Sequence, residues 1–215
     1  MTQEVGMATK PVSRVRDPER RERIINVAAE LIAKSGYFAV SLDEIGSAAG
    51  IVGSGIYRHF DTKIAILVEM FGRVVDRLVS NAEELLVTAS QPEVALIGLV
   101  RGHVDFTLGE RALCAVYLQE LKNLPSNDRR RLRWKQRHYV DLWLDLLGTA
   151  RPDLTPAEAQ VRVHAAISAI HSVLLYHSPL DETALADELV VVASGTLGIA
   201  APLAMTLDST EPHAV

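Results

Sequence analysis

Between Ser41 and Lys63 the chain reads SLDEIGSAAGIVGSGIYRHFDTK, and this stretch constrains the fold more than any other. Ser41 and Glu44 form an S-x-x-E capping box, in which the serine oxygen accepts from the third helical amide and the glutamate reaches back to the serine amide. A helix therefore starts at Leu42. Leu42, Ile45 and Ala49 recur at spacings of three and four and define its apolar side, while Asp43, Glu44 and Ser47 face elsewhere. Gly50 supplies the positive φ that a helix C-terminus favours, so the chain can turn at once. Ile56 and Phe60, four apart, pack a second helix onto the first and leave Ser54, Gly55, Tyr57, Arg58 and His59 at the outer surface or its edge. Asp61 ends the unit, and Thr62 is a good N-cap for a long helix from Lys63. The pattern is a helix-turn-helix, and it makes duplex DNA the leading partner.

Helical signals extend over the rest of the 215 residues. Strand signals are scarce, and the 48% hydrophobic content with only 5% aromatic residues suits an aliphatic core, so the fold class is all-α. Asp17-Pro18 opens a first helix, with Ile24, Ala28, Leu31 and Ile32 on one face and Gly36 at its end. With the 42–49 and 53–60 helices it completes a three-helix head. A helix from Lys63 to about Thr88 leads away from it. Further starts stand at Pro92-Glu93, Glu110, Ser126-Asn127-Asp128, Asp181-Glu182 and, most clearly, Thr155-Pro156-Ala157-Glu158. About nine helices are expected, divided into an arm (1–16), a helix-turn-helix domain (17–62), a helical domain (63–207) and a tail (208–215).

A net charge of −5 hides an uneven distribution. Lys10 to Arg23 holds six bases against three acids, which places Lys10, Arg14 and Arg16 as an arm near the duplex backbone, with a solvated tail as the alternative. The single cysteine, Cys114, excludes an intrachain disulfide and fits a reducing cytoplasm. The N-terminus lacks a signal-peptide layout. The longest apolar run, Leu189 to Met205, is interrupted by Ser194, Gly195, Thr196, Gly198 and Pro202, so a buried helix is expected there and no membrane span.

The segment AGIVGSGIYRHFDTK resembles the DNA-binding motif of the TetR family of bacterial regulators. The resemblance covers residues 17 to 75 and implies a head joined to a C-terminal effector-binding and dimerisation domain. It implies that Tyr57, His59 and Lys63 touch phosphates, which set register without reading sequence. Base reading then falls to Gly53, Ser54, Gly55 and Arg58. Val52 departs from the family pattern, which has Ser or Thr there as a helix cap, and Gly53 and Gly55 weaken this short helix by about 1 kcal/mol each relative to alanine.

In the family the last two long helices pair across a two-fold axis, which implies a homodimer. Here they span about 156–176 and 182–204, and small residues at helical spacing (Ala165, Ser168, Ala169 and Ser172, then Gly195 and Gly198) would let helices approach closely, within one subunit or between two. The resemblance also implies a small-molecule effector within the C-terminal helices. His103, Tyr117, Trp134, His138 and His171 are the polar tips expected to line its pocket, and the many Leu, Val and Ala suit an aliphatic effector. Arg130, Arg133 and Arg137 share one face within the run Arg129 to Arg137; they are either a solvated face or a site for the phosphates of an acyl-CoA.

No catalytic motif, Walker loop or dinucleotide fingerprint is present, and His164 and His171 without a carboxylate or cysteine in register make a weak metal site. The expectation is a DNA-binding regulator without cofactor, catalytic residues or metal, most simply a repressor released by its effector. An effector-independent architectural or activating DNA-binding protein is the alternative.

Overall fold

The computed structural model describes residues 18–89 and 91–200, so Lys10, Arg14, Arg16 and the Asp17 cap lie outside the described residues. Among the described residues eight α-helices follow one another: α1 (Pro18–Ser35), α2 (Leu42–Ala48), α3 (Lys63–Thr88), α4 (Pro92–Gly109), α5 (Arg111–Glu120), α6 (Ser126–Ala150), α7 (Pro156–His171) and α8 (Glu182–Leu197). Short 3₁₀ turns lie at Gly53–Arg58, Leu121–Asn123 and Ser172–Leu174, and the described residues contain no strand.

Local chemistry sets most of the boundaries. Both capping boxes form, at Ser41 with Glu44 and at Thr155 with Glu158. Thr62 and Asp181 accept the amides of Ala65 and Ala184 and so start α3 and α8. Gly36, with φ +82°, closes α1 by donating its amide to the Ile32 carbonyl at 2.8 Å. Two helices end sooner than their apolar pattern predicts. α7 tightens into the 3₁₀ turn at Ser172, and α8 stops at Gly198, whose φ of +75° lets the Gly198 and Ile199 amides donate back to the carbonyls of Gly195 and Ser194.

Two apolar cores result. The first joins Ile24, Ile25, Ala28 and Ile32 of α1 to Ile45, Ile56 and Phe60, then to the first half of α3 and to Cys114, Val116 and Tyr117 of α5. The second packs α4, α6, α7 and α8 around Leu96, Val100, Trp143, Val163, Ile170 and Ala193. α3, about 39 Å long for its 26 residues, carries both: Ile66 to Val75 belong to the first core and Ala82 to the second. The packing therefore does not divide at residue 62, since α5 closes the underside of the head. No described helix is long and apolar enough to cross a membrane.

Candidate DNA-reading head and effector pocket

The outer edge of the head is built from Val52, 93% exposed, with Gly53, Ser54, Tyr57 and Arg58 also exposed and Gly55 and His59 half-buried. Behind them Ile56 and Phe60 are fully inward. The element itself differs from the α-helix expected at 53–60: it is a 3₁₀ turn from Gly53 to Arg58. Val52 offers no side-chain cap, and Gly53 sits at φ +55°, outside the right-handed helical region, so the first turn has nothing to hold it as an α-helix. Gly55 has a second reason to be glycine, because a Cβ there would lie 2.7 Å from Ile51 Cγ2. Gly46 of α2 meets Ile56 in the same way, at 3.1 Å, so backbone closeness at Gly46 seats the reading turn on its support helix.

Charged side chains fix this unit to α3. The Arg21 guanidinium donates to Glu69 Oε1 at 2.8 Å and to the His59 carbonyl at 2.6 Å, and it lies 4.1 Å from the Phe60 ring centre. Arg73 donates to the same carboxylate at 2.6 Å. Glu69 keeps a lowered pKa because these two guanidiniums outweigh the opposing effect of its burial. Nothing in the sequence singled out this cluster: Glu69 and Arg73 are an ordinary i,i+4 pair on α3, and Arg21 lies 48 residues away from Glu69.

Of the expected phosphate contacts, Lys63 is engaged internally. The Lys63 ammonium turns inward, donates to the carbonyls of Tyr37 and Val40, and rests 4.2 Å from the Tyr37 ring centre; burial lowers its pKa. This differs from the outward anchor that the family motif implies, since the Tyr37 and Val40 carbonyls in the loop after α1 take up its ammonium. Tyr57, 47% exposed, stands close to Asp43, whose charge raises the phenol's pKa.

The C-terminal helices border two adjoining spaces. An inner cavity of about 80 Å³ is lined by Val74, Val75 and Leu78 of α3, His103 and Phe106 of α4, Cys114 and Tyr117 of α5, and Tyr139 and His171. An outer cleft of about 780 Å³ is lined by Arg130, Arg133 and Arg137 with Asp141, Leu144, Gln160 and His164. Leu118, Gln136, Val140, Ile167 and His171 border both, so the apolar interior adjoins the arginine face. The basic run thus splits by helix geometry. Arg129 donates to the Lys122 carbonyl, Arg131 pairs with Asp128 and Lys135 with Asp76, while Arg130, Arg133 and Arg137 face the cleft.

The polar tips divide as well. His103, Tyr117 and His171 come together at the inner cavity. Trp134 and His138 do not join them. Trp134 is 65% exposed and stacks on His138, which pairs with Glu83 at 3.2 Å. Trp134 lies two positions from inward-facing Leu132, about 200° around the helix, and so points away. In the cavity wall His103 Nδ1 is 2.9 Å from Tyr139 Oη and its Nε2 is 2.9 Å from His171 Nε2. Burial drives the His103 pKa down to about 3, helped by His171, and lowers His171 as well, so both rings are neutral near pH 7. Burial pushes the Cys114 thiol up to about 12, which makes it an inert apolar lining group. No group of three His, Cys, Asp or Glu among the described residues is placed to hold a metal.

The outer side of the last two helices is apolar. Val161, Ala165 and Ser168 of α7 and Val191, Val192 and Gly195 of α8 are exposed, with Leu175 and Tyr176 in the connection. Ala169 and Ser172 are half-buried. Gly198 departs from the expected stripe: a Cβ on it would meet Arg151 and Arg162 of its own subunit, and its carbonyl accepts from Arg151 at 2.8 Å.

A helix-turn-helix head fixed to an all-helical body with an internal cavity is the architecture of a DNA-binding transcriptional regulator. The chain belongs to the TetR family: residues 24–70 match the model for bacterial regulatory proteins of the tetR family, and residues 89–191 match a tetracyclin repressor-like C-terminal domain. It is 28% identical over 135 residues to the HTH-type transcriptional repressor KstR2 of Rhodococcus jostii, covering 62% of this chain and 66% of that one. It is 33% identical over 88 residues to the HTH-type transcriptional activator FasR of Mycolicibacterium smegmatis, covering 41% and 40% of the two chains. The matches to KstR2 proteins thus span only about two thirds of their length. A solved TetR-family regulator from Bordetella parapertussis superimposes with a TM-score of 0.74 at 26% identity, covering 83% of this chain and 95% of that one. The fold is also shared, at a TM-score of 0.68 and 21% identity over 80% of this chain and 97% of the other, with AibR in complex with isovaleryl coenzyme A and operator DNA.

Proposed function

We propose that this protein is a homodimeric repressor that leaves its operator when an acyl-CoA thioester fills the C-terminal pocket. The observation that carries this reading is the apolar inner cavity lying directly beside a cleft edged by Arg130, Arg133 and Arg137, with five residues bordering both. An acyl chain needs the first environment and nucleotide phosphates need the second, where planar guanidiniums can bind phosphate oxygens in pairs. Relatives named as repressors and the isovaleryl-CoA complex of a protein of the same fold support it.

The head reads DNA through the edge formed by Val52, Gly53, Ser54, Gly55 and Arg58, with Tyr57 and His59 toward phosphates. Two heads are brought to successive half-sites by pairing of the exposed faces of α7 and α8, where Ala165, Ser168 and Gly195 permit close approach. The signal passes through α5. Tyr117 and Cys114 line the cavity, while the same helix belongs to the head's core and Tyr117 meets Phe71 edge-on at 5.1 Å between ring centres. A ligand that pushes α5 shifts the seat of α1, and release follows if the ligand binds the DNA-incompetent arrangement more tightly.

The test begins with an operator selected from fragmented genomic DNA by the purified protein. Gel shifts with acyl-CoAs of graded length, free CoA and matched fatty acids should show release by the thioesters only. Replacing Arg130, Arg133 and Arg137 together by alanine should raise the acyl-CoA concentration needed at least ten-fold. DNA affinity indifferent to every acyl-CoA would sink the reading.

A further inference from the structure

Three buried side-chain polar atoms among the described residues have no hydrogen-bond partner: Tyr117 Oη, Trp143 Nε1 and Ser194 Oγ. Of these residues, Tyr117 is the one that lines the inner cavity. It is only 6% exposed, and its ring is held edge-on against Phe71, so the hydroxyl has no route to bulk water by a simple rotation. Burial raises the pKa of the phenol, which therefore stays a neutral donor across the physiological range. An unpaired buried hydroxyl is destabilising, and its persistence against a cavity marks a place where a ligand supplies the missing acceptor.

The other polar groups of the cavity are accounted for. His103, Tyr139 and His171 bond to one another in a chain, Cys114 is a protonated thiol, and Gln136 stands at the border with the cleft. Tyr117 borders the inner cavity but not the outer cleft, whereas the arginines border only the cleft. An acyl-CoA whose phosphates sit in the cleft directs its acyl end past the border residues Gln136 and His171. Tyr117 lies beyond that point and addresses atoms further along the acyl group.

On the acyl-CoA reading above, we propose that the effector's acyl group carries its own oxygen acceptor, a ketone or hydroxyl, which accepts a hydrogen bond from Tyr117 Oη. The inner cavity of about 80 Å³ has room for roughly three groups of water size, at about 30 Å³ each. The oxygen therefore sits within a few atoms of the thioester, and the favoured ligands are short oxo- or hydroxyacyl thioesters rather than long unadorned chains.

Matched ligands that differ by one oxygen test this. Calorimetric titration of the full-length protein would use butyryl-CoA against 3-oxobutyryl-CoA and hexanoyl-CoA against 5-oxohexanoyl-CoA, with wild type and Tyr117→Phe. The wild type should bind the oxo member of at least one pair about ten-fold or more tightly. Tyr117→Phe should remove that preference and melt no lower than wild type without ligand, since only an unpaired hydroxyl is lost. Equal affinities within both pairs, or a preference that survives in Tyr117→Phe, would overturn the inference while the plain acyl-CoAs still bound. If neither plain nor oxo thioesters bound, the acyl-CoA reading would fall and this inference with it.

Discussion

His103 and His171 face each other through their Nε2 atoms at 2.9 Å, a contact that holds a single proton between two neutral rings. One ring must donate and the other accept, so charging either ring puts two donors nose to nose. The folded-state pKa of His103 is about 3 against an ordinary 6.5. A base whose pKa is depressed on folding keeps its full stability contribution above the unfolded value, and stability falls as pH drops below 6.5 because the unfolded chain takes up the proton first. The loss from His103 should reach about 2 kcal/mol at pH 5, at 1.36 kcal/mol per unit. Urea denaturation at pH 7.5 and 5 would measure it, and His103→Met should flatten the difference.

At the reading turn the chain has given up a cap. Val52 is 93% exposed and makes no side-chain bond to the following amides. Val52→Ser should supply one and raise stability by about 0.5 to 1 kcal/mol. Gly55→Ala should do the opposite, since its Cβ would come within 2.7 Å of Ile51. Thermal melting of both variants checks the pair of signs; a lower melting temperature for Val52→Ser would contradict the capping argument.

Arg21 ties α1 to the end of the reading turn and to α3 in one fork. Its side chain is 35% and that of Glu69 25% exposed, so water screens the pair in part. A double-mutant cycle with Arg21→Met and Glu69→Gln should give a coupling of about 1 kcal/mol in stability. Operator affinity should fall for each single variant, because the His59 carbonyl loses its donor or the donor loses its orientation.

Lys63 offers a sharper choice. As a phosphate anchor its removal would lower the salt dependence of DNA binding by about one charge. With its ammonium bound to the Tyr37 and Val40 carbonyls, Lys63→Met should instead cost about 1 to 2 kcal/mol of stability and leave the salt slope unchanged. Salt titrations of operator binding, set beside denaturation curves, separate the two.

What the sequence reveals about this protein is largely what is encoded within four residues. Ser41 with Glu44, Thr155 with Glu158, Thr62, Asp181 and Gly36 mark helix ends correctly because a cap needs only its own turn. The direction of a side chain on a long helix depends on what arrives from elsewhere, and there pattern reading fails. Trp134 and His138 look as suited to a pocket as His103 and His171, yet α6 presents Leu132, Tyr139 and Trp143 inward. Arg133 and Arg137 become cleft residues only once α7 lies alongside. The turn at Gly53 was legible in composition, through Val52 and two glycines, but its 3₁₀ form depends on how closely Ile51 and Gly46 bring the backbones together.

The sharing of α5 between pocket and head has a consequence for anyone recombining such regulators. A chimaera joined at residue 62 would transplant the reading unit while leaving behind Cys114, Val116 and Tyr117, the residues that close its underside. The graft would inherit a mismatched floor, and with it an altered response to ligand. A transplant that keeps its specificity should carry α5 along with the first sixty residues, as two separated pieces of one unit.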